Sequence, residues 1–504
     1  MAAKHSTDEK MAQMERIEHV ETTDADLVKP KMELVDEFGA HAKTDPKEIA
    51  LVKKLDWYML PILWLMYFMN FLDRNAMING KLNGLSKDLG LHGTQYNTCV
   101  SILFVGYLAG QIPSNMILNR VRPSLFMAGK KVTSFYIDIF LIAGAGFSMA
   151  WSIISLLTYL THDYKTMLVC RFFLGITEAP FYPGALYMLS MFYTRKEMAT
   201  RMSIFYTGNM LASAFSGLIA AGIFAGMDGK NGLAGWQWLF IIQGAISIGV
   251  SILAFFFLPD SPLKTRWLDP TERQLAHNRI AIDTTDRQES GMSVWKGLRE
   301  AATDWRTWVF CLMDNLHLSA NGFKNFLPTV VKTLGFDTTI TLVLTCPPYI
   351  VAGIISIMVS YSSGRFNERT WHTTVSKTVA IAGFAMSVAS LNIAVRYVGI
   401  MLFVGATYGV NNIILSWTAS VLGQTDEKKA VAIAMCNTFG NLASVYTPYL
   451  WPDSDAPRFL AAMLASIGFS LGVIVCAWVM RITLQRQNKK MRERDPTVTN
   501  FYVY

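Results

Sequence analysis

Arg171 and Glu178 stand seven residues apart in an apolar stretch that runs from Met167 to Met191. Ionisable side chains at bilayer depth are costly, and where they occur they are functional candidates by default. A separation of seven is close to two helical turns, so both side chains leave one helix face, about 10 Å apart along its axis. That face must look onto protein or water. A carboxyl and a guanidinium so placed form a proton-sensitive switch, because burial disfavours the charged acid while a nearby cation favours it. A plain structural ion pair is the competing reading. Asp73 and Arg74 form a second charged position, deep in an apolar stretch that opens near residue 56. Arg74 suits a carboxylate ligand because its planar fork engages both oxygens, and Asp73 is a neighbouring candidate for a second proton site. Asp314, His317, Asn321 and Lys324 follow at offsets of three, seven and ten. On one helix that spacing gives a polar stripe on one face, which lines either a cavity or a polar network between packed helices. Asn411, Asn412, Trp417, Asn437 and Asn441 add hydrogen-bonding capacity nearby in the sequence order.

These residues need apolar helices to carry them. Stretches long enough for a lipid-spanning helix of about 20 residues lie roughly at 56–80, 96–118, 132–160, 167–191, 202–226 and 237–258. After a polar interval they resume near 306–331, 339–361, 374–393, 396–418, 430–450 and 457–481. Hydrophobic residues make up 52% of the chain and charged ones 16%, against about 25% charged in soluble domains. The pattern predicts an all-α polytopic membrane protein with twelve transmembrane helices in two six-helix bundles. Its expected divisions are an N-terminal tail (1–50), a first bundle (51–258), a central loop (259–305), a second bundle (306–482) and a C-terminal tail (483–504). The tail 1–50 has no apolar core of its own and reads as a disordered cytoplasmic segment. In the central loop, Asp269 and Pro270 suit the cap and first turn of an amphipathic helix.

Charge placement sets the orientation. With a cytoplasmic amino terminus, inner loops and span flanks hold twenty basic residues, Lys377 counted among them, and outer loops hold seven. Positive charge collects on the cytoplasmic side, so both termini are expected there. The net charge of +8 is then a consequence of topology, and no nucleic-acid partner is expected. Cys99, Cys170, Cys311, Cys346, Cys436 and Cys476 all fall in spans without a Cys-x-x-Cys pair, as small packing residues do. Gly106 and Gly110 offer a close-approach face, and Pro180 and Pro183 predict a bend just past Glu178.

Catalytic patterns are weak. Gly468-Phe469-Ser470-Leu471-Gly472 matches a hydrolase nucleophile pattern, but that motif needs a strand, a sharp turn and a helix, and here it lies inside a span. There is no His-Glu-x-x-His, phosphate loop or paired-cysteine metal site. Neither an enzyme, a cofactor nor a metal is expected.

Several strings together resemble a known family. They are Asn70-Phe71-Leu72-Asp73-Arg74-Asn75, Gln111-Ile112-Pro113-Ser114-Asn115, and Cys170-Arg171-Phe172-Phe173-Leu174-Gly175-Ile176-Thr177-Glu178-Ala179-Pro180-Phe181-Tyr182-Pro183-Gly184. Leu258-Pro259-Asp260-Ser261-Pro262, Pro347-Pro348-Tyr349 and Pro448-Tyr449-Leu450-Trp451-Pro452 complete the set. Over roughly 50–504 the chain resembles fungal members of the anion:cation symporter branch of the major facilitator superfamily, near the allantoate permeases. The resemblance implies proton-coupled uptake of a small organic anion, such as allantoate or nicotinate, by a multi-pass, monomeric carrier of the plasma membrane. It also implies substrate roles for Arg74 and Arg171 and proton roles for Asp73 and Glu178. To these the polar stripe adds His317, Asn321 and Lys324 as substrate ligands. A non-transporting nutrient sensor on the same fold is the alternative function. Two departures stand out. The inner loops Leu118–Pro123 and Ser363–Arg369 keep basic residues, but the superfamily's expected acid is missing or displaced. About twenty residues near 129–148 also lengthen the approach to the third span, as a kinked or partly interfacial extension, and a retained intron with loss of transport is the competing origin for that insert.

Overall fold

The computed structural model describes residues 45–120, 147–259, 261–285, 294–494 and 502–504. The insert near 129–148, apart from its last two residues, most of the N-terminal tail and the loop 121–123 lie outside the described residues. No strand occurs among those described. The first span (Pro46–Gly80) opens with Asp45 accepting from Lys47 N at 2.9 Å and with Pro46 in the first turn, where its missing N–H costs nothing. At 35 residues it is about 52 Å long and overshoots a hydrocarbon core of about 30 Å. The second span is Gln95–Arg120 and the third is described over Phe147–Leu160. The fourth runs as Tyr164–Glu178, breaks at Ala179 and Pro180, and resumes as Phe181–Phe192, with the break where Pro180 withholds a helical donor. The fifth (Arg195–Met227) and sixth (Gly235–Phe257) close the first set.

Two helices, Pro270–Thr285 and Val294–Thr303, lie in the central loop. The seventh span starts as Trp305–Ala320, tightens to a 3₁₀ segment over Asn321–Asn325 and ends as Leu327–Lys332. The eighth comprises Thr338–Leu344 and Cys346–Arg365. Thr370–Ala389, Ile393–Val421, Asp426–Tyr446 and Leu460–Arg494 are the ninth to twelfth. Among the described residues, length and hydropathy alone single out five helices, in spans five, six, eight, ten and twelve. The first, fourth and seventh, which carry charges or breaks, are not among them. Large apolar side chains such as Phe256, Ile357, Met358 and Val475 face outward, as a lipid-facing surface requires.

Packing repeats with a six-helix offset. The first span packs on the fifth and sixth as the seventh packs on the eleventh and twelfth, and the second packs on the fourth as the eighth packs on the tenth. Two crossings join the halves, second to eleventh and fifth to eighth, and the same offset relates them. Backbone contact sets the crossing of the second and fourth spans: a Cβ on Gly106 would overlap the Phe172 carbonyl, and one on Gly110 would sit 2.8 Å from the Ile176 carbonyl. Only glycine permits that approach.

The central-loop helices bind one half each. Lys54 of the first span meets Glu272 at 2.7 Å, and Arg279 bonds Glu197 of the fifth span and lies 3.5 Å from Glu48. Gly297 lies against Glu427 at the start of the eleventh span. We call this end of the bundle the linker face. At the opposite, far face the halves meet directly. Asn97 Nδ2 donates to the Pro448 carbonyl at 2.9 Å, Lys81 pairs with Asp453 at 2.6 Å, and Tyr449 bonds Thr98 at 3.1 Å. Beneath them the Phe326 and Trp451 rings stack 5.7 Å apart.

Candidate functional site

Between the two halves, near mid-span, the first and fourth helices bring an acid and a base together. Arg74 Nε donates to Glu178 Oε1 at 2.5 Å. This corrects the expectation that Glu178 pairs with Arg171. The two fourth-span residues share a face, but their axial offset keeps the guanidinium away, and the first span supplies the partner instead. Arg171 is buried beside Tyr96 and Cys99 of the second span, and its Nε and Nη1 have no hydrogen-bond partner. Glu178 Oε2 is likewise unpartnered, and Asn70 lies beside the same carboxyl.

The pair is asymmetric. The Arg74 side chain keeps 19% of its exposure and Glu178 keeps 2%, so the guanidinium is the member that meets the interior space. Its carbon lies 4.9 Å from the Tyr107 ring centre and 5.1 Å from that of Phe71, a setting that holds a cation through the ring quadrupoles. Across the interface Lys324 faces Arg74, with its Nζ 5.9 Å from the Phe104 ring centre. Tyr349 of the eighth span sits next to Lys324, within 3.5 Å of its carbonyl, and packs edge-on to Tyr408. Two cations from opposite halves therefore converge on a wall of aromatic rings, and one of them, Arg74, holds the Glu178 carboxylate.

The other expected residues are placed as follows. Asp73 turns away from Arg74 and accepts from Ser247 Oγ of the sixth span at 2.9 Å, close to Trp151 and Ser155 of the third. His317 is fully buried, with Nε2 at 3.2 Å from Asn321 Nδ2. Because the helix tightens after Ala320, Lys324 leaves the stripe of Asp314, His317 and Asn321 and reaches the interface. Trp417 lies elsewhere, its Nε1 donating to the Val503 carbonyl at 2.9 Å, and Asn441 bonds the Asn437 carbonyl of its own helix. Gly468–Gly472 lies inside the continuous helix Leu460–Arg494, so no nucleophile turn exists there. Lys377, counted above as a loop-flank cation, is fully buried in the ninth span. The aromatic residues Phe71, Phe104, Tyr107 and Tyr349 were not singled out as ligands, since an aromatic in an apolar helix carries no signal of its own.

A helical bundle with two six-helix halves, charged groups at its central interface and an apolar outer surface defines a multi-pass membrane transporter. The family model for the Major Facilitator Superfamily matches residues 63–448, and the chain belongs to that superfamily. An uncharacterized transporter of Schizosaccharomyces pombe is 30% identical over 89% of this chain and 88% of its own length. The major facilitator-type transporter hxnP of Emericella nidulans is 27% identical over 89% and 88%. The MFS-type transporter cnsO of Penicillium expansum is 31% identical over 87% and 84%. Among solved structures, a bacterial homolog of the human lysosomal transporter Spinster, inward-facing and occupied, superposes with a TM-score of 0.66 at 15% identity, covering 88% of this chain and 99% of that one. A D-xylose-proton symporter gives 0.62 at 14% identity, covering 84% and 97%. At such identities these two likenesses speak for the fold.

Proposed function

We propose that this transporter imports a small organic anion together with protons, by alternating access at the plasma membrane, as the resemblance to the anion:cation symporters implies. The observation that carries the reading is the Arg74–Glu178 pair at 2.5 Å, open to the interface through its arginine and faced by Lys324. Arg74 serves two carboxylates that compete for it. While Glu178 is ionised, it occupies Nε. When Glu178 takes a proton, the guanidinium is released for the carboxylate of the substrate, and Lys324 supplies the second positive contact from the other half. Anion and proton thus bind together, which is the thermodynamic requirement for carrying both in one cycle. Arg171, about two turns earlier on the same face of the fourth span, acts on Glu178 electrostatically from a distance and adds to the positive field of the site.

Orientation follows the positive-inside rule. Removing Lys377 from the loop cations leaves nineteen inner basic residues against seven outer ones, so the linker face is cytoplasmic. The far-face contacts of Asn97, Lys81 and Thr98 then close the extracellular side. The test is uptake of a panel of labelled organic acids by cells lacking their own carriers, at several external pH values. Uptake that rises as external pH falls and collapses with a protonophore supports the reading. Uptake of neutral sugars in place of acids, or acid uptake indifferent to pH, overturns it.

A further inference from the structure

Deep in the second half lies a group of polar side chains that the central site does not use. Asp314 and His317 of the seventh span and Lys377 and Thr373 of the ninth are all buried. Asp314 Oδ1, His317 Nδ1, Lys377 Nζ and Thr373 Oγ1 have no hydrogen-bond partner. Asp314 and Lys377 act on each other electrostatically, yet they do not approach within ion-pair distance. Lys377 also acts on His317. Tyr206 of the fifth span and Cys436 of the eleventh are the remaining titratable groups that sense Asp314. A full charge left alone in a bundle interior costs several kcal/mol. Opposite charges held apart are therefore a poor way to fasten two helices.

The group is connected to the interface. From Asp314 the seventh helix continues through His317, whose Nε2 is 3.2 Å from Asn321 Nδ2, and Lys324, although the tightened turn takes it off that face toward Arg74, still acts electrostatically on His317. In the first half the acid of the first helix, Asp73, lies nearer the far end of its helix, against the third and sixth. There the third helix offers Ser155 and Trp151, whereas its counterpart in the second half offers Lys377. The span-eleven backbone presses on the acid as well, since a Cβ on Gly440 would overlap Asp314 Oδ2. Asp314 thus has no room to swing toward the eleventh span, and a shift of the ninth relative to the seventh decides its separation from Lys377.

We propose that Asp314 is a second proton-carrying site, with Lys377 as its conformation-dependent counter-ion and with His317, which senses both Lys377 and Lys324, between it and the substrate. This rests on the transport reading given above. The carboxylate takes one proton from the far side when the halves are open there and gives the same proton up at the linker face. Approach of Lys377 expels it. With Glu178, two protons accompany each anion.

The experiment is static-head accumulation of the best-transported acid of the panel in proteoliposomes, with the membrane potential clamped at zero and a fixed pH gradient. Each coupled proton multiplies the accumulation ratio by about tenfold per pH unit. Asp314→Asn is expected to lower that ratio by about tenfold at a gradient of one unit, while anion exchange continues and anion affinity keeps its pH dependence. Glu178→Gln lowers the ratio similarly but removes the pH dependence of affinity, so failure of the Glu178 reading is seen separately. The Asp314→Asn, Lys377→Met double variant removes both charges and guards against misfolding of the single one. A tenfold loss that persists in the double variant supports the proposal. A wild-type ratio in either variant assigns the pair a structural role and overturns it.

Discussion

Replacing Glu178 by Gln should tighten anion binding at neutral pH and remove its pH dependence. In the wild type the substrate competes with a charged acceptor that holds Arg74 Nε at 2.5 Å. A hydrogen bond to a charged group contributes about 1.5–3 kcal/mol, against about 0.5–1.5 for a neutral one. Glutamine keeps the shape and a neutral acceptor, so about 1–1.5 kcal/mol of competition disappears. That corresponds to about 5- to 10-fold tighter binding. Folding should survive, because the cation left unbalanced is the member of the pair with 19% exposure and not the one with 2%. Calorimetric titration of purified protein in buffers of different ionisation enthalpy reads both quantities: the affinity, and the proton taken up with each anion. Wild-type protein should show weaker binding as pH rises, and the variant should bind tightly throughout with one fewer proton taken up. Weaker binding by the variant, or an unchanged pH slope, would refute competition for Arg74.

Other consequences concern the frame around the site. Asn97→Ala frees the buried Pro448 carbonyl, at about 1–3 kcal/mol, and should raise labelling of Cys99 by a membrane-impermeant maleimide by about 5-fold or more. Asp453→Asn touches a pair whose acid is 62% exposed; such surface pairs contribute about 0–1 kcal/mol, so labelling should change less than in Asn97→Ala. Gly106→Val forces a side chain into the Phe172 backbone, and overpacking of this kind costs about 1–3 kcal/mol or more; the check is a fall in melting temperature and monodispersity in detergent. At Asp304, burial pushes the carboxyl up, but bonds from Arg306 and Lys428 outweigh it and bring it from 3.8 to about 2. A folded-state value below the unfolded one stabilises above pH 3.8 and is lost as pH falls through about 2. Asp304→Asn should therefore cost about 2 kcal/mol at neutral pH, and the gap in melting temperature to wild type should shrink in acid.

Much of the architecture is legible in the sequence because lipid demands long apolar helices, and the six-gap-six rhythm survives there. The glycines at 106 and 110 and the break after Glu178 were also readable, since Gly and Pro act through local sterics. The partner of Glu178 was not. Helical periodicity tells which residues share a face, but which neighbouring helix that face meets is a tertiary fact, and here the first span supplies Arg74. Asp73 shows the same limit, being next to Arg74 in sequence yet turned toward Ser247. Lys377 was misplaced because His372, Thr373, Thr374 and Ser376 make its surroundings look like a loop edge, whereas the helix Thr370–Ala389 buries it. The stripe from Asp314 to Lys324 was read as one straight face, and the tightening at Asn321–Asn325 divides it.

Coupling itself is tested most directly with a pH dye sealed inside proteoliposomes that hold the purified protein and no imposed gradient. Adding an organic acid of the panel as its non-permeant anion should acidify the lumen, and removing the carrier or adding excess of a competing acid should abolish the signal. Anion entry without any change of internal pH, or acidification driven by a neutral sugar, would contradict a proton-coupled anion carrier built on Arg74 and Glu178.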